Sequence, residues 1–204
     1  RVQRHSARYF QRPDMAYSSY DPTRTSMVGG RMGVGLERRN GRHWVGDIRA
    51  WTESPELELN DLGRLNSSDS NTLRGRLEYR ETVPGRWLRT YSISVFNQNE
   101  WNYGWNRLRG MVQPQVRLTW RNFWRTNFTA TFNPRVQDFR LTRGGPLMEK
   151  PRNWLLQAVV QNSDAAQTRG SGGLRYGRDE NGRPTVRNGA PVAVQPQPRW
   201  LEAV

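Results

Sequence analysis

Apolar and polar residues alternate along most of this chain, and a period of two residues predicts β-strands. Six segments show the alternation clearly and two show it more weakly: residues 28–36, 44–52, 73–79, 91–95, 108–120 and 124–132, then 154–161 and 170–176. In the six clear segments one face has 29 positions and no charged residue, whereas the other has 23 positions and nine charged residues. No segment shows a convincing stripe of period 3.6, so we predict an all-β fold.

The connections between these segments alternate in length. In chain order they are the short turn Asn40-Gly41, the long 53–71, the short 84–86, the long 97–107, the short 121–123 and the long 133–153. Short turns at one end and longer loops at the other are typical of outer-membrane barrels, and strands of about 9–11 residues cross a bilayer at a tilt. Aromatic residues near segment ends, such as Trp44, Trp120 and Trp124, fit interfacial girdles. We therefore predict an antiparallel up-and-down meander, a segment of a transmembrane outer-membrane β-barrel.

Two other interpretations fit part of the pattern. A soluble β-barrel or sandwich also has alternating strands; it predicts that the apolar face packs against a second sheet or a core. Its arginine-rich face would bind a polyanion such as nucleic acid. A hydrolase is the third interpretation, and its support is the acidic loop that contains Glu53, Glu56, Glu58 and Asp61. We interpret this loop as a solvated outer loop, since its spacing does not fit an EF-hand.

Composition excludes several kinds of site. The 204 residues include no Cys and two His, which excludes disulfides, thiolate zinc sites and multi-histidine metal sites. No run of 18 apolar residues is present, so no transmembrane helix is predicted. A Gly-x-Ser-x-Gly elbow and a P-loop are also absent from the sequence. We therefore expect no catalytic residue, no metal site and no cofactor.

Arginine dominates the charge. The net charge is +14, and Lys150 is the single lysine among 32 basic residues. The arginines are spread through every segment rather than clustered, so nucleic acid is not the expected partner. On the polar face of a barrel they would make an anion-attracting lumen, and near the outer leaflet they would pair with lipopolysaccharide phosphates. The candidates for the lumen are Arg74, Arg76, Arg109, Arg117 and Arg125.

A shaped loop is predicted between the last long strands. It contains Thr142, Arg143, Gly144, Gly145 and Pro146. The paired glycines allow positive φ, and the proline then restricts the backbone. Two roles stay open for this loop motif: a plug or constriction folded into the lumen, or an ordered surface turn.

Four phrases give the chain a family resemblance. They are Ser6–Asp14, Asp21–Ser26, Asn60–Gly63 and Leu141–Met148, of which the last is the most specific. In order and approximate spacing they resemble the barrel part of a bacterial outer-membrane β-barrel family of unknown function. Longer members of that family carry a carbohydrate-binding family 9-like module ahead of the barrel.

The resemblance implies that residues 1–204 form one barrel segment, an internal piece of a larger barrel with a turn-rich end at 177–204. The expected location is the outer membrane of a Gram-negative-type bacterium. The expected partners are outer-membrane lipid, lipopolysaccharide, the remainder of the same barrel and saccharides. Trp51, Trp101 and Trp105 lie near long loops, where they would stack on sugars, although we favour girdle or packing roles for them. The expected function is structural, permeation-related or saccharide-capturing, without catalysis.

Overall fold

The structure is a computed structural model, and it describes residues 4–5, 8–9, 15–57, 68–139, 146–163, 166, 168, 170–185 and 202–203. Strands and irregular connections account for all of these residues, without a helix. None of them belongs to a helix long and apolar enough to span a membrane. The strands are β1 Arg4–His5, β2 Arg8–Tyr9, β3 Arg31–Arg38, β4 Trp44–Glu53, β5 Ser70–Glu81, β6 Leu88–Trp101, β7 Arg107–Trp120, β8 Arg125–Asn133, β9 Val136–Asp138, β10 Met148–Lys150, β11 Asn153–Gln161, β12 Ser171–Asp179 and β13 Glu202–Ala203.

Eight long strands form one antiparallel meander, which confirms the predicted all-β architecture. Their order is β12-β11-β8-β7-β6-β5-β4-β3, and the two-residue β13 pairs with β12. Each of the eight alternating segments found in the sequence overlaps one of these strands, although residues 28–30 precede β3. The sheet is not closed, because β3 lies at one edge and β13 at the other. Two small hairpins, β1-β2 and β9-β10, form separate two-stranded sheets.

The connections fall at two ends of the sheet. The connections 39–43, 82–87, 121–124 and 162–170 join strands at one end, which we call the turn end. Residues 54–69, 102–106 and 134–152 join strands at the other end, the loop end. The predicted long connection 97–107 was wrong in length. Strand β6 continues to Trp101 and β7 begins at Arg107, because polar residues such as Asn97 and Asn99 take part in the strand pairing.

Strand register places the alternating residues on two faces of the sheet. One row crosses the apolar face through Leu77, Val95, Pro114, Ala130 and Leu156. The neighbouring row on the polar face includes Glu78, Ser94, Gln115 and Thr129. Because directly paired residues project to the same side, the apolar segments of all eight strands share one face.

Side-chain exposure on the two faces is the reverse of that in a sheet that packs its apolar face on a hydrophobic core. On the apolar face, Leu77 is 56% and Leu156 is 49% exposed. On the polar face, Thr72 and Ser94 are only 5% and 6% exposed. Among the described residues, the buried hydrophobic side chains are Met15, Leu57 and Phe139, and each of them lies in a connection. The described part of the chain therefore leaves the apolar face uncovered.

Polar contacts tie the loop-end connections together. The buried Asp69 carboxylate accepts hydrogen bonds from the Tyr17 hydroxyl at 2.7 Å and from the backbone N–H of Tyr103 at 3.0 Å. The Tyr103 hydroxyl lies 2.7 Å from Thr52 Oγ1, which donates to Asn71 Oδ1 at 2.8 Å. Asp69 has a φ of 66°, a left-handed conformation that Asp tolerates better than most residues. This loop cluster fixes three connections against the ends of β4 and β5.

Candidate functional site

Strand register places all five candidate arginines on the polar face of the sheet. Two of them pair with carboxylates there. The Arg76 guanidinium bonds to Glu78 on the same strand, and Arg109 Nε lies 3.8 Å from Glu100 Oε2 on the neighbouring strand. These contacts neutralise part of the positive charge that the sequence places on this face.

Arg74 and Arg117 have no carboxylate partner among the described residues. Both are exposed, and the Arg74 guanidinium lies 5.0 Å from the centre of the Phe96 ring. Arg74 pairs with Gln98 and Arg117 with Ser92, so the two guanidinium groups are anchored at levels six residues apart, about 20 Å along β6. The fifth candidate, Arg125, is half-buried and has interaction partners of its own. The two free cations therefore mark two levels of the polar face.

Sequence reasoning missed the carboxylates that neutralise this face. Asp47 and Glu37 surround Arg49, at 3.6 Å and 3.5 Å from its guanidinium nitrogens. The spacing of Arg76 and Glu78 gave a usable signal, because residues i and i+2 of a strand share a face. The partnership of Glu100 with Arg109 depends on the register of two strands, which alternation alone does not determine.

The hairpin β9-β10 lies at the loop end and packs against β7. Its base is held by an ionic latch, which consists of Arg135, Arg152 and Glu180. Arg135 Nε and Nη2 donate to the Glu180 carboxylate at 2.8–3.0 Å, and Arg152 Nε lies 3.1 Å from Glu180 Oε2. The hydrogen bonds from Arg135 lower the pKa of Glu180 below its ordinary 4.5, and the nearby Arg152 adds to the effect. The latch joins the start and the end of the hairpin connection to the segment that follows β12.

A cavity of about 230 Å³ lies beneath this hairpin. Register puts Glu100, Arg109, Asn133 and Asn153 of its lining on the polar face. The hairpin contributes Gln137, Asp138 and Lys150 from above, and Asp138 and Lys150 are ion-paired. The hairpin that precedes and follows the predicted loop motif thus borders polar-face residues of the sheet, with β9 packed on β7.

The loop motif itself falls mainly outside the described residues. Thr142, Arg143, Gly144 and Gly145 are not described, whereas Pro146 is, just before β10. The acidic loop is also described in part, with Glu58 and Asp61 outside. Glu53 lies 3.2 Å from Arg31, and Glu56 lies 3.9 Å from Arg24, so its two described carboxylates are ion-paired. No group of three His, Asp or Glu side chains within the described ranges has a geometry that could hold a metal ion.

The three candidate tryptophans border one shallow groove of about 480 Å³ at the loop end. Trp51 belongs to the polar-face row of Gly33 and Thr72, whereas Trp101 belongs to the apolar-face row of Asn71. Their rings therefore project to opposite faces. Trp105, at the tip of the 102–106 connection, is 74% exposed. The three rings do not form one stacking platform.

Aromatic residues cluster on the apolar face at the turn end. Trp44 packs edge-on against Tyr79 with 5.1 Å between ring centroids, and Tyr91 lies 6.2 Å from Tyr79. His43 stacks on the same Tyr79 ring at 5.3 Å between ring centroids. Trp120 donates its indole N–H to Thr126 Oγ1 at 2.8 Å, which satisfies its polar end.

One polar patch interrupts the apolar face near the loop end. Asn99 Nδ2 donates to Asn97 Oδ1 at 2.6 Å, and Arg107 donates to Asn99 Oδ1. Register places Asn97 beside Gly75 and Val112, and Asn99 beside Leu73 and Gly110. These bonds lower the cost of placing the two asparagines on this face, whereas Arg107 Nε is buried there without a hydrogen-bond partner among the described residues.

Comparison with known proteins gives the family. The model of a domain of unknown function, DUF5916, matches residues 1–173. The chain belongs to the DUF5916 family. That match includes seven of the eight long strands and the first three residues of β12, and with them the arginine-bearing face and the hairpin. No curated protein and no solved structure matches this DUF5916 chain. The family description assigns no activity, location or partner.

Proposed function

We propose that this DUF5916 chain is a segment of an outer-membrane β-barrel that is structural and permeation-related and performs no catalysis. The observation that carries the proposal is the reversed burial of the two faces. Exposed aliphatic or aromatic side chains lie on one face across eight strands, whereas Ser70, Thr72 and Ser94 on the other face are buried. A lipid-facing exterior and a polar lumen require this distribution.

The height of the apolar face also supports a membrane location. On β6, ten residue steps separate Tyr91 near the turn end from Trp101 at the loop end. At about 3.3 Å per residue this is roughly 33 Å along the strand, or about 25 Å in height at a tilt of about 40°. A barrel's outward apolar band is about 25 Å tall between its aromatic girdles. We assign the Trp44, Tyr79 and Tyr91 cluster to the girdle at the turn end.

The charges of the polar face favour the passage of small anions. Arg74 and Arg117 would form two cationic levels in the lumen, since their charges are not neutralised by carboxylates in the described structure. The β9-β10 hairpin would narrow the lumen at the loop end, so we favour the constriction among the two roles of the loop motif. The free edges of β3 and β12-β13 would be joined by further strands, because an open edge is not tolerated in lipid.

Fractionation of the cell envelope tests this proposal. The full-length protein should be recovered with the outer membrane, and unheated samples should migrate differently from boiled samples on a gel. Purified protein in planar bilayers should then give a conductance that favours chloride over potassium. Recovery in the soluble fraction would contradict the proposal, and the arginine-rich face would then be tested for salt-dependent binding of nucleic acid.

A further inference from the structure

We infer that the cavity beneath the β9-β10 hairpin binds a neutral polyhydroxylated molecule of about one sugar ring. This binding site goes beyond permeation, and it uses the orientation proposed above, in which the polar face lines the lumen. The cavity lies between the hairpin, which packs on β7, and residues at the loop ends of β6, β7, β8 and β11, so a solute entering from the loop end would meet it early.

Charge balance in the cavity favours a neutral ligand. Two cations line it, and each is already paired: Arg109 with Glu100 at 3.8 Å, and Lys150 with Asp138. The lining therefore carries no net charge, although the chain as a whole carries +14. An anion would have to compete with a carboxylate for either cation, so a small anion gains little there.

Side-chain amides supply the donors and acceptors that hydroxyl groups require. Asn133 donates to Asn153 Oδ1 at 2.8 Å, which leaves Asn133 Oδ1 and a second Asn133 N–H available. Gln137, on the hairpin strand β9, makes no side-chain hydrogen bond within the described ranges. Each hydroxyl of a ligand is both a donor and an acceptor, so the two kinds of amide atom match it.

The size and the apolar walls of the cavity also suit one sugar ring. Its volume of about 230 Å³ equals roughly seven or eight water molecules at about 30 Å³ each, enough for one six-membered sugar ring. Leu108, Pro134, Val136 and Phe139 give it apolar walls. Such walls suit the C–H groups of a sugar ring, whereas inorganic phosphate would leave them without an apolar partner.

Calorimetric titration of the folded full-length protein with glucose tests the inference, with inorganic phosphate and glycine betaine as comparison probes. Gln137→Ala should weaken glucose binding about fivefold, the effect of one lost hydrogen bond. The matched control is Gln161→Ala, on the same face but at the turn end of β11, and it should leave binding unchanged. Asn133→Ala provides a second variant of the lining.

The result has three readings. Glucose binding that is weakened by Gln137→Ala and not by Gln161→Ala supports the inference. Failure of glucose to bind, equal effects of both variants, or preferred binding of phosphate or glycine betaine overturns it. The heat-dependent gel shift and the conductance of the same sample report on the barrel independently. If both are retained while glucose binding fails, the cavity assignment alone is wrong.

Discussion

Two adjacent leucines on β11 provide a matched test of which face meets lipid. Leu156 is 49% exposed and lies on the apolar face, paired with Ala130 and Tyr176. Leu155 lies on the polar face, paired with Thr131 and Gly177. Leu156 is one residue from the middle of the nine-residue strand, which is about 2.5 Å in depth at a tilt of about 40°.

Arginine near the middle of a bilayer costs about 2–4 kcal/mol on the lipid face of a barrel. We therefore expect Leu156→Arg to lower the free energy of unfolding in lipid vesicles by about that amount. Leu155→Arg should cost roughly 1 kcal/mol or less, because its charge enters a solvated lumen and only half-buried apolar contacts are lost. The comparison removes effects of residue type, since both positions carry leucine and sit next to each other.

The assay is denaturant unfolding of the full-length protein reconstituted in vesicles, followed by tryptophan fluorescence and gel mobility. If the apolar face were exposed to water instead of lipid, Leu156→Arg would change the free energy of unfolding by no more than about 0.5 kcal/mol, as at other surface positions. That result, or a larger cost for Leu155→Arg, would refute the assignment of faces.

Three further predictions follow from the charged groups. Arg117→Gln combined with Arg74→Gln should lower the chloride preference in bilayer recordings. The effect should be clearest below about 0.1 M salt, where the Debye length exceeds about 10 Å and charges are screened less. Retention of the preference in this double variant would contradict the lumen assignment, whereas the control Arg117→Lys should preserve the preference. The protection of the hairpin amides, expressed relative to the intrinsic exchange rate at each pH, should be lost as pH falls from 4.5 through the lowered pKa of Glu180, because ionised Glu180 stabilises the latch. Glu180→Gln should lower that protection already at neutral pH, and equal protection in both proteins would disprove the latch. Asp69→Ala should lower the free energy of unfolding by about 1–3 kcal/mol in denaturant titrations, because two donors lose their buried acceptor, and Asp69→Asn should recover part of the loss; an unchanged midpoint for Asp69→Ala would count against the loop cluster.

Much of the sheet follows from the sequence because a period of two is a local property. The run from Leu73 to Tyr79 predicted β5 and its two faces without reference to any other strand. The ends of β6 did not follow, since Asn97 and Asn99 interrupt the apolar alternation while their backbones continue the ladder. Their polar side chains are compatible with that face because they bond to each other and to Arg107.

The candidate site was predicted less completely, because it depends on pairing between distant segments. Alternation identified Arg74 and Arg117 as polar-face residues, and the structure keeps both there. The latch joins Arg135 to Glu180, 45 residues apart, and neither residue lies in an alternating segment. Contacts of this range arise from strand register and from the path of the hairpin, neither of which periodicity determines.

Single-cysteine scanning along β5 tests the central claim most directly, since the 204-residue chain contains no cysteine of its own. Cysteines at Leu73 and Leu77, labelled with a fluorophore in reconstituted full-length protein, should be quenched by brominated lipid. Cysteines at Arg74 and Arg76 should instead react with water-soluble thiol reagents and escape lipid quenching. Alternation of the two signals along the strand is the result that a lipid-facing apolar face and a water-filled lumen predict. Equal aqueous reactivity at all four positions, with no lipid quenching, would contradict the barrel.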